Sequence, residues 1–272
     1  MPMETMARQR RLSLLASPYI QLFPASTKPC ALLDRFEQEH NQGKVRKQLS
    51  NKQGMHVARL LGAFIPFLEA YYGDWEKDYY ILTLKAIRGI EFTAKDIQAL
   101  IPIMAEYNSE PGFDHAAGYF LSALANSARE KSILLDIRVL ETKLVSLGRF
   151  CTKELTITGN AGDSFGFGMR RGKLTLNGNC GEYTGLFMNN GELVVNGDSG
   201  DVTGYGMKKG ILTVNGNCFG RVGGEAQFMG DDLVIRINGN IRSIYSVTSG
   251  NIFQYDRQIV KDGNEIAKIE NK

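Results

Sequence analysis

The sequence predicts an α + β chain: a helical bundle over residues 1–130, then a parallel β-helix of 19-residue coils over residues 131–272. Three observations predict it. All seven prolines lie at or before Pro111, whereas 22 of the 30 glycines follow Phe150. Apolar residues before Ala128 recur at helical spacing. After Phe150, columns of glycine, leucine and methionine repeat every 19 residues. So sharp a change of composition places a domain boundary between about Ala128 and Leu147.

The chain opens with "MPMETMARQRRLSLLASPYIQLFP". Ser13, Ser17 and Pro18 break its apolar run and no small-residue cleavage pattern follows, so it does not read as a signal peptide. Residues 1–28 are read as flexible. "FEQEHNQGKVRKQLSNKQ" is polar and basic, an exposed helix or loop. Val57, Leu60, Leu61, Phe64, Ile65 and Leu68 then mark one helical face, and Tyr79, Leu82, Leu84 and Ile87 another, stopped by Gly89. Thr93 and Asp96 have capping-box spacing. Pro102 should kink or interrupt the helix that follows. Tyr119, Phe120 and Leu124 mark the last helix. Together these make a bundle of four or five helices.

The second part is a repeat. Gly159, Gly178, Gly197 and Gly216 are 19 apart, as are Gly166, Gly185, Gly204 and Gly223. Gly172, Gly191 and Gly210 keep the step, with Met169, Met188 and Met207, and Leu155, Leu174, Leu193 and Leu212. "ELTITG", "KLTLNG", "ELVVNG" and "ILTVNG" alternate apolar and polar, as a strand with one buried face does. An Asn-Gly or Thr-Gly follows each strand, suited to a turn of positive φ. One coil is too short to bury its own apolar face, but stacked coils bury leucine on leucine and pair strand with strand. Glycine recurs because every coil turns the same left-handed or crowded corners. About five coils are expected. After Gly216 the next match is Gly239, so an insertion lies within "FGRVGGEAQFMGDD". Residues 241–272 lose the pattern and should cap the last coil. "SILLDIRVLETKLVSLG" should form the first, and residues from about Leu134 onward should fold alone.

The repeats "GNAGDSFGFGMRRGKLTLNGNCG" and "GDSGDVTGYGMKKGILTVNG" resemble the GXGXG β-helix family. That family includes the C-terminal domain of the glutamate synthase large subunit and one of the subunits of formylmethanofuran dehydrogenase. The likeness covers roughly Leu144 to Ile244. It implies a right-handed β-helix serving as a scaffold that packs on catalytic domains or subunits. The chain departs from glutamate synthase in having no cysteine before Cys30, no room for a flavin barrel and no iron–sulfur cysteine run. The helices before Ala128 have no counterpart in that family.

Function is less legible. A net charge of +3 supplies no strong field toward nucleic acid or a membrane, and no run of 18 apolar residues exists. The four cysteines, Cys30, Cys151, Cys180 and Cys218, lack metal-ligand spacing and fit a reduced, cytoplasmic protein. Cys180 and Cys218 share one slot two coils apart, too far for a disulfide. The Met169, Met188 and Met207 ladder reads as core in preference to a soft-metal site. His40, His56 and His115 show no HExxH spacing. Tyr71, Tyr72, Trp75, Tyr79 and Tyr80 form an aromatic cluster, bundle core or interface. No catalytic, cofactor or metal residue is assigned, and no cofactor is expected. One interaction patch is expected, where Arg170, Arg171, Lys208 and Lys209 meet at one turn of stacked coils. The reading is a non-catalytic scaffold that docks on a protein partner or self-associates. By the resemblance, that partner is an oxidoreductase or amidotransferase. The alternative is an enzyme or ligand-binding subunit, its site in a cleft between the helical domain and the β-helix, lined by Gly220 to Asp232.

Overall fold

A computed structural model describes residues 51–70, 78–224, 232–245, 247 and 249–272. The readings of residues 1–28, of the polar stretch as far as Ser50, and of His40, Tyr71, Tyr72 and Trp75 lie outside the described residues. The chain divides into two compact units, Met1–Glu91 and Phe92–Lys272. The division falls earlier than the composition shift suggests, for a reason seen in the second unit.

In the first unit, α1 spans Asn51–Ala70 and α2 spans Tyr79–Ala86. Leu60, Leu61, Phe64 and Ile65 of α1 are fully buried, as their spacing predicts. Asp78 caps α2, its carboxylate accepting from Ile81 N at 3.1 Å. Gly89 follows with φ of 80°, the left-handed stop expected of it.

The second unit begins with α3, Ala94–Met104, a 3-10 turn at Ala105–Tyr107, and α4, Phe113–Ser127. The capping box forms: Thr93 N donates to Asp96 Oδ2 at 2.8 Å, and Asp96 N donates to Thr93 Oγ1 at 3.4 Å. Pro102 sits within α3, which ends two residues later in the 3-10 turn. Seven strands then pair in parallel: β1 (Ser132–Asp136), β2 (Glu154–Thr158), β3 (Lys173–Asn177), β4 (Glu192–Val195), β5 (Lys209–Val214), β7 (Asp232–Ile237) and β9 (Asn251–Gln254). They give about six turns of a parallel β-solenoid, one more than the glycine pattern shows. On a second face β6 (Cys218–Val222) pairs in parallel with β8 (Ile241–Ile244). The register is 19 wherever the repeat predicts it, with Leu155 on Leu174 and Leu174 on Leu193. Between β5 and β7 Leu212 pairs with Ile235, so the step grows to 23 across the insertion. The insertion's middle, residues 225–231, is outside the described residues.

Stacking explains the glycines, with one correction. Gly178, Gly197, Gly216 and Gly239 do not adopt positive φ; only Gly159 in that column does, at 124°. The others are glycine because the backbone of the coil beneath leaves no room for a Cβ, as at Gly216, where it would lie 2.7 Å from Gly197 C. The asparagines before them do not form turns; they form a ladder. Asn196 donates to Asn177, Asn215 to Asn196 and Asn238 to Asn215, at 2.7, 2.7 and 2.8 Å. The left-handed corners lie elsewhere. Ser164, Gly166 and Gly168 have φ of 59°, 71° and 59°, and Tyr183, Gly185 and Phe187 repeat the conformation one coil on.

Both ends are closed. At the first edge, Gln98 of α3 imitates a neighbouring strand: its amide accepts from Asp136 N at 2.6 Å and donates to Asp136 O at 3.2 Å. Ser122 of α4 is buried and accepts from Gly148 N at 2.9 Å. Asn126 brackets the same coil, donating to Arg149 O at 3.0 Å and accepting from Thr152 N at 3.2 Å. These bonds place residues 94–127 with the solenoid, which is why the division falls at Glu91 and not near residue 130. At the other end, β10 (Arg257–Lys261) and β11 (Asn264–Glu265) turn antiparallel and close the sheet. The tail completes the cap, Lys272 N donating to Asn240 Oδ1 at 2.8 Å.

Candidate interaction surfaces on the solenoid

Arg170, Arg171, Lys208 and Lys209 are all exposed. Arg170 N and Arg171 N donate to Cys151 O at 3.0 and 3.3 Å; Asn189 N donates to Met169 O and Lys208 N to Met188 O, each at 2.8 Å. The two basic pairs therefore sit at the same turn with the Asn189–Asn190 coil between them, about 9.6 Å apart at ~4.8 Å per step. They are not equivalent. Lys209 forms an ion pair with Asp232 at 2.9 Å, and the Arg170 guanidinium lies 4.6 Å from the centre of the Phe150 ring. Among the described residues Arg171 and Lys208 have no ion-pair partner.

Beside this corner runs an aromatic ladder that the sequence reading misses. Phe150, Phe167, Phe187 and Tyr205 meet edge to face, with ring centres 5.9, 6.0 and 5.9 Å apart. Their positions, 17 to 20 residues apart, drift from the 19-residue step, so no column appears in the sequence. Backbone geometry supplies the reason. Phe150, Gly168, Phe187 and Gly206 all have positive φ, and each phenyl ring covers the glycine of the next coil. A Cβ on Gly168 would meet the Phe150 ring at 2.7 Å. Arg149 lies over Phe167 and Phe150, at 3.9 and 4.5 Å, and reaches the Tyr119 ring of α4 at 5.4 Å.

The second surface is a shallow groove of about 630 Å³. Asp163, Glu182 and Asp201 of successive coils line it, then Arg221 and Arg242. Asp201 accepts from the Arg221 guanidinium, from Nε at 3.1 Å and Nη2 at 2.6 Å, and from Arg221 N at 2.6 Å. The guanidinium holds the Asp201 carboxyl well below the usual carboxylate range. Gly220 and Arg221 belong to the predicted lining; the groove itself lies on one face of the solenoid.

The remaining candidates are internal. Met169, Met188 and Met207 are fully buried, as core residues are. Cys151, Cys180 and Cys218 are free and buried; burial pushes the Cys180 thiol up to about 12. Its Sγ lies 2.9 Å from Thr184 Oγ1, and one coil on Thr203 Oγ1 donates to Ser199 Oγ at 3.0 Å, so the small-residue slot carries a buried polar strip. His115 Nδ1 lies 3.0 Å from Asp114 on α4. Among the described residues no three His, Cys, Asp or Glu side chains gather to hold a metal ion, and no helix is long and apolar enough to cross a membrane.

Compared with protein-family models, with curated proteins and with solved structures, the chain finds no match.

Proposed function

We propose that the chain is a non-catalytic docking or assembly protein whose solenoid grips a partner protein at its basic, aromatic corner. One observation carries this reading: Arg171 and Lys208 stand exposed two coils apart, without ion partners among the described residues, beside a ladder of aromatic rings. The few residues that carry most of the binding energy at protein interfaces are enriched in arginine, tyrosine and tryptophan, and Arg171 and Tyr205 are of that kind. A corner of this charge suits an acidic surface. The ladders of Asn177 to Asn238 hold the rungs at fixed spacing, so the corner meets its partner pre-organised.

The displaced titratable groups also favour a structural role. Asp201 bonds Arg221 on the next coil, Asp136 is lowered to about 2 by its bond from Arg138, and Cys180 is sealed in the interior. In this reading the solenoid is right-handed and of the GXGXG kind. The partner is then an oxidoreductase or amidotransferase, met in a reducing, cytoplasmic compartment. Self-association through the same corner is the competing arrangement.

The test is site-specific photocrosslinking in cells, with the reactive residue at position 171 or 208 and, as a control, at position 175 on the strand face. The reading expects one enzyme to be captured at both corner positions and not at 175. It also expects Lys208→Glu to abolish capture at position 171, and Arg171→Glu to abolish capture at position 208, each leaving the melting temperature unchanged. Equal capture at 175, or capture that survives charge reversal, would overturn it.

A further inference from the structure

The groove's depth comes from the coil packing. Gly181 and Gly200 form its floor, and a Cβ on either would lie 2.9 Å from Asp163 N or 2.7 Å from Gly181 C. Phe219 takes the next place in that glycine column and stands 65% exposed as a wall. An exposed phenyl ring beside a polar furrow offers flat apolar contact to a ligand.

The charges in the groove are arranged unlike those on the strand face of the solenoid. There, opposite charges sit on neighbouring coils and pair, as Lys173 does with Glu192 at 2.8 Å and Lys209 with Asp232 at 2.9 Å. Within the groove, Asp163 and Glu182 are like charges on neighbouring coils, an arrangement that costs stability. Asp163 has a structural use, since its Oδ1 accepts from Glu182 N at 2.9 Å. The Glu182 carboxylate and the Arg242 guanidinium have no partner among the described residues. Between them Asp201 and Arg221 neutralise each other. The groove is thus negative at one end, neutral in the middle and positive at the other.

We propose that this groove binds an extended polypeptide segment of a partner, laid along the solenoid axis. Its cationic end rests on Asp163 and Glu182 and its anionic end on Arg242, with an apolar side chain against Phe219. From the coil of Asp163 to that of Arg242 is four steps, about 19 Å at ~4.8 Å each, which an extended chain covers in about six residues at ~3.3 Å each. The segment is recognised by charge order and length. The groove uses none of the corner residues, so this proposal and the docking reading fail separately.

The test is fluorescence anisotropy on the full chain at low salt, with labelled octapeptides as probes. One carries two lysines, four glycine and serine residues, then two glutamates; a second reverses that order; a third has the same composition with alternating charges. One ordered peptide is expected to bind about tenfold more tightly than the alternating one. Glu182→Gln and Arg242→Gln should each weaken it about threefold to fivefold, the scale of one part-exposed ion pair, while Lys208→Gln changes nothing. Both groove positions are on the surface, so Arg242→Gln should melt with the native chain, and Glu182→Gln, relieved of its repulsion from Asp163, with it or slightly above it. Equal binding of all three peptides would overturn the proposal. So would binding that ignores Glu182, which would mark a simple anion site at Arg242.

Discussion

Gly197 is a direct place to break the solenoid, because the backbone of the coil beneath bounds the space it fills. A Cβ there would lie 2.6 Å from Gly178 O and 2.8 Å from Gly178 C, where ordinary contact begins at 3.4 Å. No rotamer relieves a main-chain overlap of about 0.8 Å, so the two coils must part. Parting them strains the bond from Asp198 N to Asn179 Oδ1 at 2.8 Å and that from Cys180 N to Asp198 O at 2.9 Å. Overpacking of this kind costs about 1–3 kcal/mol, and each strained bond about 1 kcal/mol. Gly197→Ala should therefore lose about 3 kcal/mol, and Gly197→Val more. At ~2–4 °C per kcal/mol for a unit of this size, the melting temperature should fall by about 10 °C. Gly62 is the control, since a Cβ there meets nothing within 4 Å. Gly62→Ala should be neutral or stabilise α1 by up to about 1 kcal/mol. Thermal and urea unfolding followed by circular dichroism measures both. A Gly197→Val chain melting within about 2 °C of the native one would refute the reasoning, because the coils would then not be in contact at this register.

Three other outcomes follow from the same geometry. Asn196→Ala removes bonds to both Asn177 and Asn215 and should cost about 1–2 kcal/mol, less than Gly197→Val because the ladder is exposed; the urea midpoint reads it. Ser122→Ala leaves Gly148 N without its buried acceptor and should cost about 1–3 kcal/mol, with hydrogen exchange at Gly148 rising in step. The Asp201 carboxyl lies below its unfolded value, so its contribution is present above about pH 4, the usual carboxylate range, and is lost as pH falls through the lower folded value. Asp201→Asn should therefore flatten the acid limb of the stability curve and leave the neutral-to-alkaline limb parallel to that of the native chain.

The repeat was legible because identical coils impose identical demands. A column of leucines at a step of 19 has no other economical reading, and the strand register follows it residue by residue. What each glycine is for was not legible. Gly166 and Gly197 look alike in sequence, yet one has φ of 71° and the other meets the backbone of the next coil. The role of α3 and α4 was hidden for a related reason. Gln98, Ser122 and Asn126 are single polar residues without period, and only their bonds to Asp136, Gly148 and Arg149 show that these helices close the solenoid. The basic corner could be placed because its residues share a turn of the repeat. The aromatic ladder could not, since Phe187 stands where neighbouring coils carry Gly168 and Gly206. The groove arises from Gly181 and Gly200 lacking side chains and from the place of Phe219, features that acquire meaning only when coils are stacked.

The central structural claim is that residues 92–272 form one folding unit, with α3 and α4 as the first layer of the solenoid. Calorimetry of two fragments, 92–272 and 134–272, tests it most directly. The bonds of Gln98, Ser122 and Asn126 revise the expectation that a chain beginning near Leu134 folds alone. The longer fragment should melt in one cooperative transition, whereas the shorter, with its first edge open, should show none or aggregate. A sharp transition in 134–272 at the temperature of 92–272 would contradict the account and make the two helices passengers on a self-sufficient solenoid.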